Sequence, residues 1–369
     1  MIKVIGVDAS RSSVVQKTGT EYYSYELIKN IVKNKAFNFR LYSKEKLQYI
    51  SKQDNIEQKV MRFPKLWSQV RLSYEMLKNP PAVLFEPAHT IPVIHPKNTI
   101  VTLHDIGFKY FPELYTPLER YYHDFCMRYS VKHSTKIIAI SQATKSDLIK
   151  TYHAQEDKIV VIYHGFDREK YHVLKREEKK SEEIEALGDY IFFIGRLEAK
   201  KNVCNLIKAY KIFREKDDTN YKLVLAGRPG YKYEEIEEEI NKVPSEIRQD
   251  IIELGYVGDE KAGELMRNAS IFFFPSYFEG FGMPLVEAMA CGVPVVASNT
   301  TSIPEILDGS GLISDPDNPK IFADNLYKLF QKKELREDFI KKGLRRSQQF
   351  SWEKCAKQTL DVIEPYLND

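Results

Sequence analysis

The chain has 369 residues, 43% of them hydrophobic and 29% charged, with 17 glycines and 17 prolines. These are globular proportions: they exclude collagen-like, coiled-coil and intrinsically disordered organisation, and the length suits two domains better than one. The net charge of +3 divides unevenly, with 26 Lys+Arg against 17 Asp+Glu in residues 1–170 and 29 against 35 in the remainder, so two lobes with different partners are expected.

The run from Ile2 to Val7 predicts a buried strand, followed by a loop from Asp8 to Gly19 and a helix starting at Thr20. Further strands are expected over 38–42, 82–86, 99–103 and 136–140. Ser141 then caps a helix, and a short strand at 158–163 closes the first lobe. Residues 173–188 are charge-dense and poor in large apolar side chains, which reads as a linker. In the second lobe strands are expected over 190–194, 222–226, 251–254, 271–274 and 294–297, with helices in the intervals, and the segment 350–367 has the pattern of an amphipathic helix. Strands alternating with helices imply parallel sheets, because parallel strands need long crossovers. The expected division is therefore 1–172, a linker over 173–188, 189–349, and a C-terminal helix within 350–369 that crosses back toward the first lobe.

Cys126, Cys204, Cys291 and Cys355 form no C-x-x-C pair, which argues against a disulfide scaffold or a zinc cluster and fits a reducing compartment. The N-terminus lacks a cleavable leader pattern, and no apolar run approaches the ~20 residues of a membrane span, so a cytoplasmic protein is expected.

The stretch from Ser276 to Pro294 carries the strongest chemical signal. Gly280 and Gly282 allow a tight turn after an apolar strand; Pro284 suits the start of a helix and Gly292 its end. A helix N-terminus here is an anion site, flanked by Glu279 before the turn and by Glu287 in the expected first helical turn. One acidic residue is explained by capping or the helix dipole. Two glutamates with two glycines and a proline in one loop call for more.

EGFGMPLVE, with Glu279 and Glu287 as its E-x7-E, resembles the retaining family 4 glycosyltransferases of the GT-B fold. FIGRLEAKKN, LVLAGR and LGYV in the second lobe, and TLHD, ISQATKSDL and VIYHGFD in the first, are similar to that family's segments in order. The resemblance implies an α/β, GT-B architecture: two Rossmann-like parallel-sheet domains facing each other across a cleft, with a C-terminal helix crossing back. It implies a hexosyltransferase, with a mannose- or rhamnose-like sugar favoured, that uses a nucleoside-diphosphate sugar and no metal cofactor. The acceptor would be a glycan or lipid-linked, in the synthesis of surface polysaccharide.

Residue by residue, Arg196 and Lys201 resemble the pair that holds the diphosphate. Glu279 resembles the contact to the donor sugar, and Glu287 the acceptor of ribose hydroxyls. His104 resembles the first-lobe histidine that reaches the sugar. Gly19, Gly227, Phe281, Gly282, Met283 and Leu285 would line the phosphate and sugar, and Tyr256 and Val257 the base. Retention is read as front-face displacement, in which the departing diphosphate helps take the acceptor proton.

Between Arg40 and Lys78 stand nine Lys+Arg against four Asp+Glu. There Leu66, Trp67, Val70 and Leu77 among Lys65, Arg71 and Lys78 read in two ways: as an amphipathic surface for peripheral contact with an anionic inner membrane face, or as a core-facing helix with a solvated side. No signature of nucleic-acid binding is present. The competing readings are another GT-B enzyme, such as a nucleotide-sugar epimerase, and a non-catalytic nucleotide- or nucleic-acid-binding module.

Overall fold

The computed structural model describes residues 3–14, 19–175, 177–216 and 220–367. Ile2 of the first expected strand, residues 15–18 of the loop after it, Arg176 of the expected linker and residues 368–369 lie outside them.

By backbone contacts the chain divides into two units, one running to Gly165 and resuming at Ser351, the other spanning Phe166–Phe350. Each is an α/β, Rossmann-like unit around one wholly parallel sheet. In the first, β1 (Val4–Asp8), β2 (Asn38–Ser43), β3 (Ile56–Val60), β4 (Val83–Glu86), β5 (Thr99–Leu103), β6 (Lys136–Ala139) and β7 (Ile159–Val161) lie in the order β3-β2-β1-β4-β5-β6-β7. In the second, β8 (Tyr190–Ile194), β9 (Lys222–Ala226), β10 (Ile251–Gly255), β11 (Ile271–Phe274), β12 (Val295–Ser298) and β13 (Gly311–Ser314) lie in the order β10-β9-β8-β11-β12-β13. The central strands are buried and mainly apolar because helices cover both faces of a parallel sheet; β4, β5 and β11 are buried at every residue.

The two strands that sequence patterning missed, β3 and β13, are edges. IEQKV and GLIS are short, polar-interrupted and only partly buried, since an edge strand packs fewer neighbours. The expected linker differs more. Residues 182–187 form a helix whose Ile184 and Leu187 are buried, and the Ser181 N–H donates to Glu264 Oε1 at 2.9 Å. The segment is thus part of the second unit: its charges stay in solvent while two apolar residues dock, and the division falls after Gly165 rather than after residue 172.

The helix Trp352–Ile363 belongs to the first unit. Ser351 caps it by accepting the Lys354 N–H at 3.0 Å, and Trp352, Cys355, Ala356, Thr359, Leu360 and Ile363 form one buried face at helical spacing, packed against the helix Gly19–Ile31. The basic segment splits its apolar residues. Trp67 enters the core and its Nε1–H donates to the Met61 carbonyl at 2.8 Å, which follows the core-facing reading for this residue, whereas Leu66, Val70 and Leu77 remain exposed. Among the described residues no helix is long and apolar enough to cross a membrane.

Candidate functional site

In the second unit the strand order reverses between β8 and β11, which pair directly through Ile191 and Ile271. A parallel sheet offers its ligand crevice at the carboxyl ends of the strands beside such a reversal. The chain leaving β8 runs through Gly195 and Arg196 into a 3-10 turn at Ala199–Lys201; the chain leaving β11 runs through Pro275 to Gly282. These loops meet in an ion pair. Lys201 Nζ donates to Glu279 Oε1 at 2.6 Å, and both side chains are largely buried, at 17% and 11% exposed. The ammonium also stands 5.6 Å from the centre of the Phe274 ring.

Several bonds fix this geometry. Asn202, in the left-handed conformation, donates from Nδ2 to the carbonyls of Pro275 at 3.1 Å and Pro316 at 2.8 Å, while the Tyr277 N–H donates to Lys200 O at 3.0 Å. The Glu279 N–H donates to Thr301 Oγ1 at 3.0 Å, and Ser302 Oγ donates to the carbonyls of Glu279 and Phe281, each at 3.0 Å. Sequence reasoning missed Thr301 and Ser302. The signal for them is the TTS run after β12, which only the strand order brings beside Glu279.

Gly282 precedes the helix Met283–Ala290 with φ 89°, a conformation open to glycine, and Pro284 lies in the first turn. Phe281 and Leu285 are buried, and Met283 is half-buried. The first turn holds no acidic residue: Glu287 is the fifth residue of the helix, in the second turn rather than the first, so it does not serve the dipole. Burial, then the negative charges of Asp259 and Asp167, push its carboxyl up to about 8, against a smaller opposing pull from Lys170 and a Tyr171 hydrogen bond. Lys170 is already shared among Asp167, Asp259 and Glu260 at 3.5, 3.6 and 3.8 Å.

Arg196 follows β8 but is 67% exposed, and it makes a 3.5 Å ion pair with Glu198. Gly227 follows β9, and its N–H donates to Gly255 O at 2.7 Å. A Cβ built at Gly227 would stand 1.8 Å from the Gly195 carbonyl oxygen, so this glycine keeps the ends of β8 and β9 together. Gly227→Ala is expected to lower the melting temperature and cost about 1–3 kcal/mol or more, since the obstructing atom is backbone; an unchanged thermal melt would refute the packing argument. Tyr256 and Val257 follow β10, Tyr256 exposed with the Arg228 guanidinium 4.6 Å from its ring centre. All these residues stand at the carboxyl ends of β8 to β11.

The first-unit residues stand apart in character. Gly19 is exposed and begins the helix Gly19–Ile31. His104 follows β5 but is only 4% exposed, its Nε2 is 2.9 Å from the Pro87 carbonyl, and its ring packs edge-on against Tyr23 at 4.7 Å. Burial holds its imidazole below the ordinary histidine range. It is His89, not His104, that lines a cavity of about 750 Å³ in this unit.

Residues 175–346 match the glycosyl transferases group 1 family and residues 56–170 the glycosyltransferase family 4 description. O-antigen chain mannosyltransferase B of Escherichia coli is 32% identical over 279 residues, covering 73% of this chain and 70% of the relative. The chain belongs to the family 4 glycosyltransferases. The enzyme is also 28% identical over 232 residues to O-antigen chain mannosyltransferase RfbU of Salmonella typhimurium, covering 63% of this chain and 60% of that one, less than two thirds of its length. Its fold matches that of Anabaena HepE, solved in complex with UDP-glucose, with a TM-score of 0.73 over 99% of this chain and 100% of that one at 17% identity. The fold is GT-B, and the protein is a glycosyltransferase.

Proposed function

We propose that the enzyme moves a hexose, mannose or a rhamnose-like sugar, from a nucleoside-diphosphate donor to a glycan or lipid-linked acceptor in surface-polysaccharide assembly, with retention at the anomeric carbon. The observation that carries this is the Lys201–Glu279 pair at the β8/β11 reversal. A cation there stabilises the charge that develops as the diphosphate leaves, and a neighbouring carboxylate accepts sugar hydroxyls. Mannosyl transfer is supported by the two O-antigen relatives, and a nucleoside-diphosphate donor by the ligand of HepE.

Front-face displacement suits this arrangement. The bond from the anomeric carbon to the phosphate oxygen breaks, the acceptor oxygen bonds on the same face, and the acceptor proton passes to the departing phosphate. Lys201, Arg196 and the N–H groups of Gly282, just before the helix, and Met283, at its start, supply the compensating charge and dipoles without a metal ion in this reading.

The test is a panel of GDP-mannose, UDP-glucose and dTDP-rhamnose, read by thermal shift and by nucleotide release with and without EDTA. One donor is expected to stabilise the protein and to release nucleotide at a rate EDTA leaves unchanged. Absence of shift and turnover with every donor would overturn the reading, and conversion of the sugar without nucleotide release would favour an epimerase.

A further inference from the structure

The sheet of the first unit also reverses its order, between β1 and β4. Asp8 ends β1 and Glu86 ends β4, one step beyond the pair Val7 and Phe85. The cavity of about 750 Å³ opens at this reversal, where Asp8, Ser10, Ser68, His89, Tyr122 and His123 contribute to its wall. Its size is that of a small-molecule site, and its place is where a doubly wound sheet binds ligands.

Asp8 is nearly buried; its Oδ1 accepts the Ser10 N–H at 2.8 Å and its Oδ2 the Ser68 hydroxyl at 3.2 Å. Each carboxylate oxygen keeps capacity for a second hydrogen bond. Glu86 is 1% exposed, lies within hydrogen-bond reach of Asp8, and its Oε1 has no partner among the described residues. Two carboxyls so close in an interior do not both ionise. Burial, then the charge of Asp8 and the bond to it, push the Glu86 carboxyl well above the ordinary range. Glu86 therefore keeps its proton and donates it to Asp8, which lines the cavity and is oriented by this bond.

His89 is the third member. Its backbone takes the left-handed φ of 58°, costly for a residue with a Cβ, and is held there by its N–H to Thr102 O at 3.0 Å and by Ser130 Oγ donating to its carbonyl at 2.9 Å. Its Nδ1 accepts the His104 N–H at 3.4 Å. Burial and the neighbouring His104 push its imidazole down to about 3, so the ring is neutral and its proton sits on Nε2 as a donor. Carboxyl oxygens that accept and an N–H that donates, in the wall of one cavity, match a ring of hydroxyls, each of which gives and takes a hydrogen bond.

We infer that Asp8, backed by Glu86 and joined by His89 in the cavity wall, is the specificity-determining clamp of the acceptor: it takes one hydroxyl of a pyranose, and His89 donates to a second oxygen. This rests on the glycosyltransferase reading with a sugar acceptor. Glu86 and His89 are positioning residues; Asp8 touches the substrate.

The test titrates methyl α-D-mannopyranoside by saturation-transfer NMR against the full chain and its Asp8→Asn, Glu86→Gln and Glu86→Leu variants, with GDP and UDP titrated in parallel. Asp8→Asn and Glu86→Leu are expected to weaken glycoside binding about tenfold or more, the loss of one charged hydrogen bond or of its support. Glu86→Gln is expected to stay within a few-fold of the parent because its amide N–H can still donate to Asp8, and nucleotide binding is expected to be unchanged throughout. Glycoside that fails to bind a nucleotide-competent parent, or that binds Asp8→Asn as well as the parent, would overturn the assignment. Loss of nucleotide binding in step with glycoside would overturn it too, by marking Asp8 as structural. Glycoside binding with the expected pattern in a chain that binds no nucleotide would support the clamp while refuting the donor reading.

Discussion

Lys201→Ala is expected to lower kcat/KM by about 100- to 1000-fold, the range seen when one donor to a developing oxyanion is removed. Its ammonium is enclosed by Glu279 at 2.6 Å and the Phe274 ring, so its charge is less screened by solvent than that of Arg196, which is 67% exposed. Arg196→Ala is accordingly expected to cost less, about tenfold. Because Lys201 and Glu279 touch, their effects cannot be independent. Glu279→Gln alone leaves a cation without its partner, and Lys201→Ala alone leaves a mostly buried carboxylate without its cation. The double variant should therefore lose less than the product of the two single losses. Steady-state kinetics on the four proteins of this cycle provide the measurement. A Lys201→Ala enzyme within threefold of the parent, or strict multiplicativity across the cycle, would remove the pair from the reaction.

Donor affinity is expected to rise steeply between pH 6 and 8 and to be flat in Glu287→Gln. In the free enzyme the Glu287 carboxyl sits at about 8, so it is mostly protonated at pH 6. A ribose diol that donates two hydrogen bonds prefers the carboxylate, and each pH unit below that value costs up to about tenfold in the binding-competent form, so the span amounts to tens of fold. Stability runs the other way. A carboxyl whose folded value is raised above its unfolded one of 4.5 contributes stability that is fully present below that pH and is lost as pH rises toward 8. Wild type should therefore lose a few kcal/mol relative to Glu287→Gln over this window, and isothermal titration with parallel urea melts reads both. Equal pH profiles for the two proteins would show that Glu287 titrates elsewhere or binds nothing.

The environment behind this prediction illustrates what a linear pattern carries and what it does not. The E-x7-E spacing is visible in the chain, and so is the glycine turn that precedes the helix. That Glu287 falls in the second turn follows from the helix beginning at Met283, a one-turn matter that boundary signals in sequence do not resolve. Its surplus of negative neighbours comes from Asp167 and Asp259, which are 120 and 28 positions away and meet it only in the folded unit.

The same contrast holds for the histidines. TLHDIG marks His104 as the end of a buried strand, and that is where it lies. Nothing local marks His89, which faces the cavity because the loop after β4 is bent at a left-handed residue and tied to β5 and to Ser130. Trp67 shows the converse. Among basic residues it reads either as a surface anchor or as a core residue, and only the hydrogen bond to Met61 and a neighbouring apolar cluster decide that it turns inward.

The sequence by itself determined the α/β class, most of the buried strands, the glycine turn before the second-unit helix and the family, because each is written in short-range periodicity, turn chemistry or contiguous motifs. Tertiary structure alone decided that Lys201 meets Glu279 across 78 positions, that Asp8 adjoins Glu86, and that residues 182–187 dock as a helix. The reason is strand order: β8 lies beside β11 and β1 beside β4 through crossovers whose destination depends on how whole layers bury their apolar faces, a sum over the fold that no local stretch of residues contains.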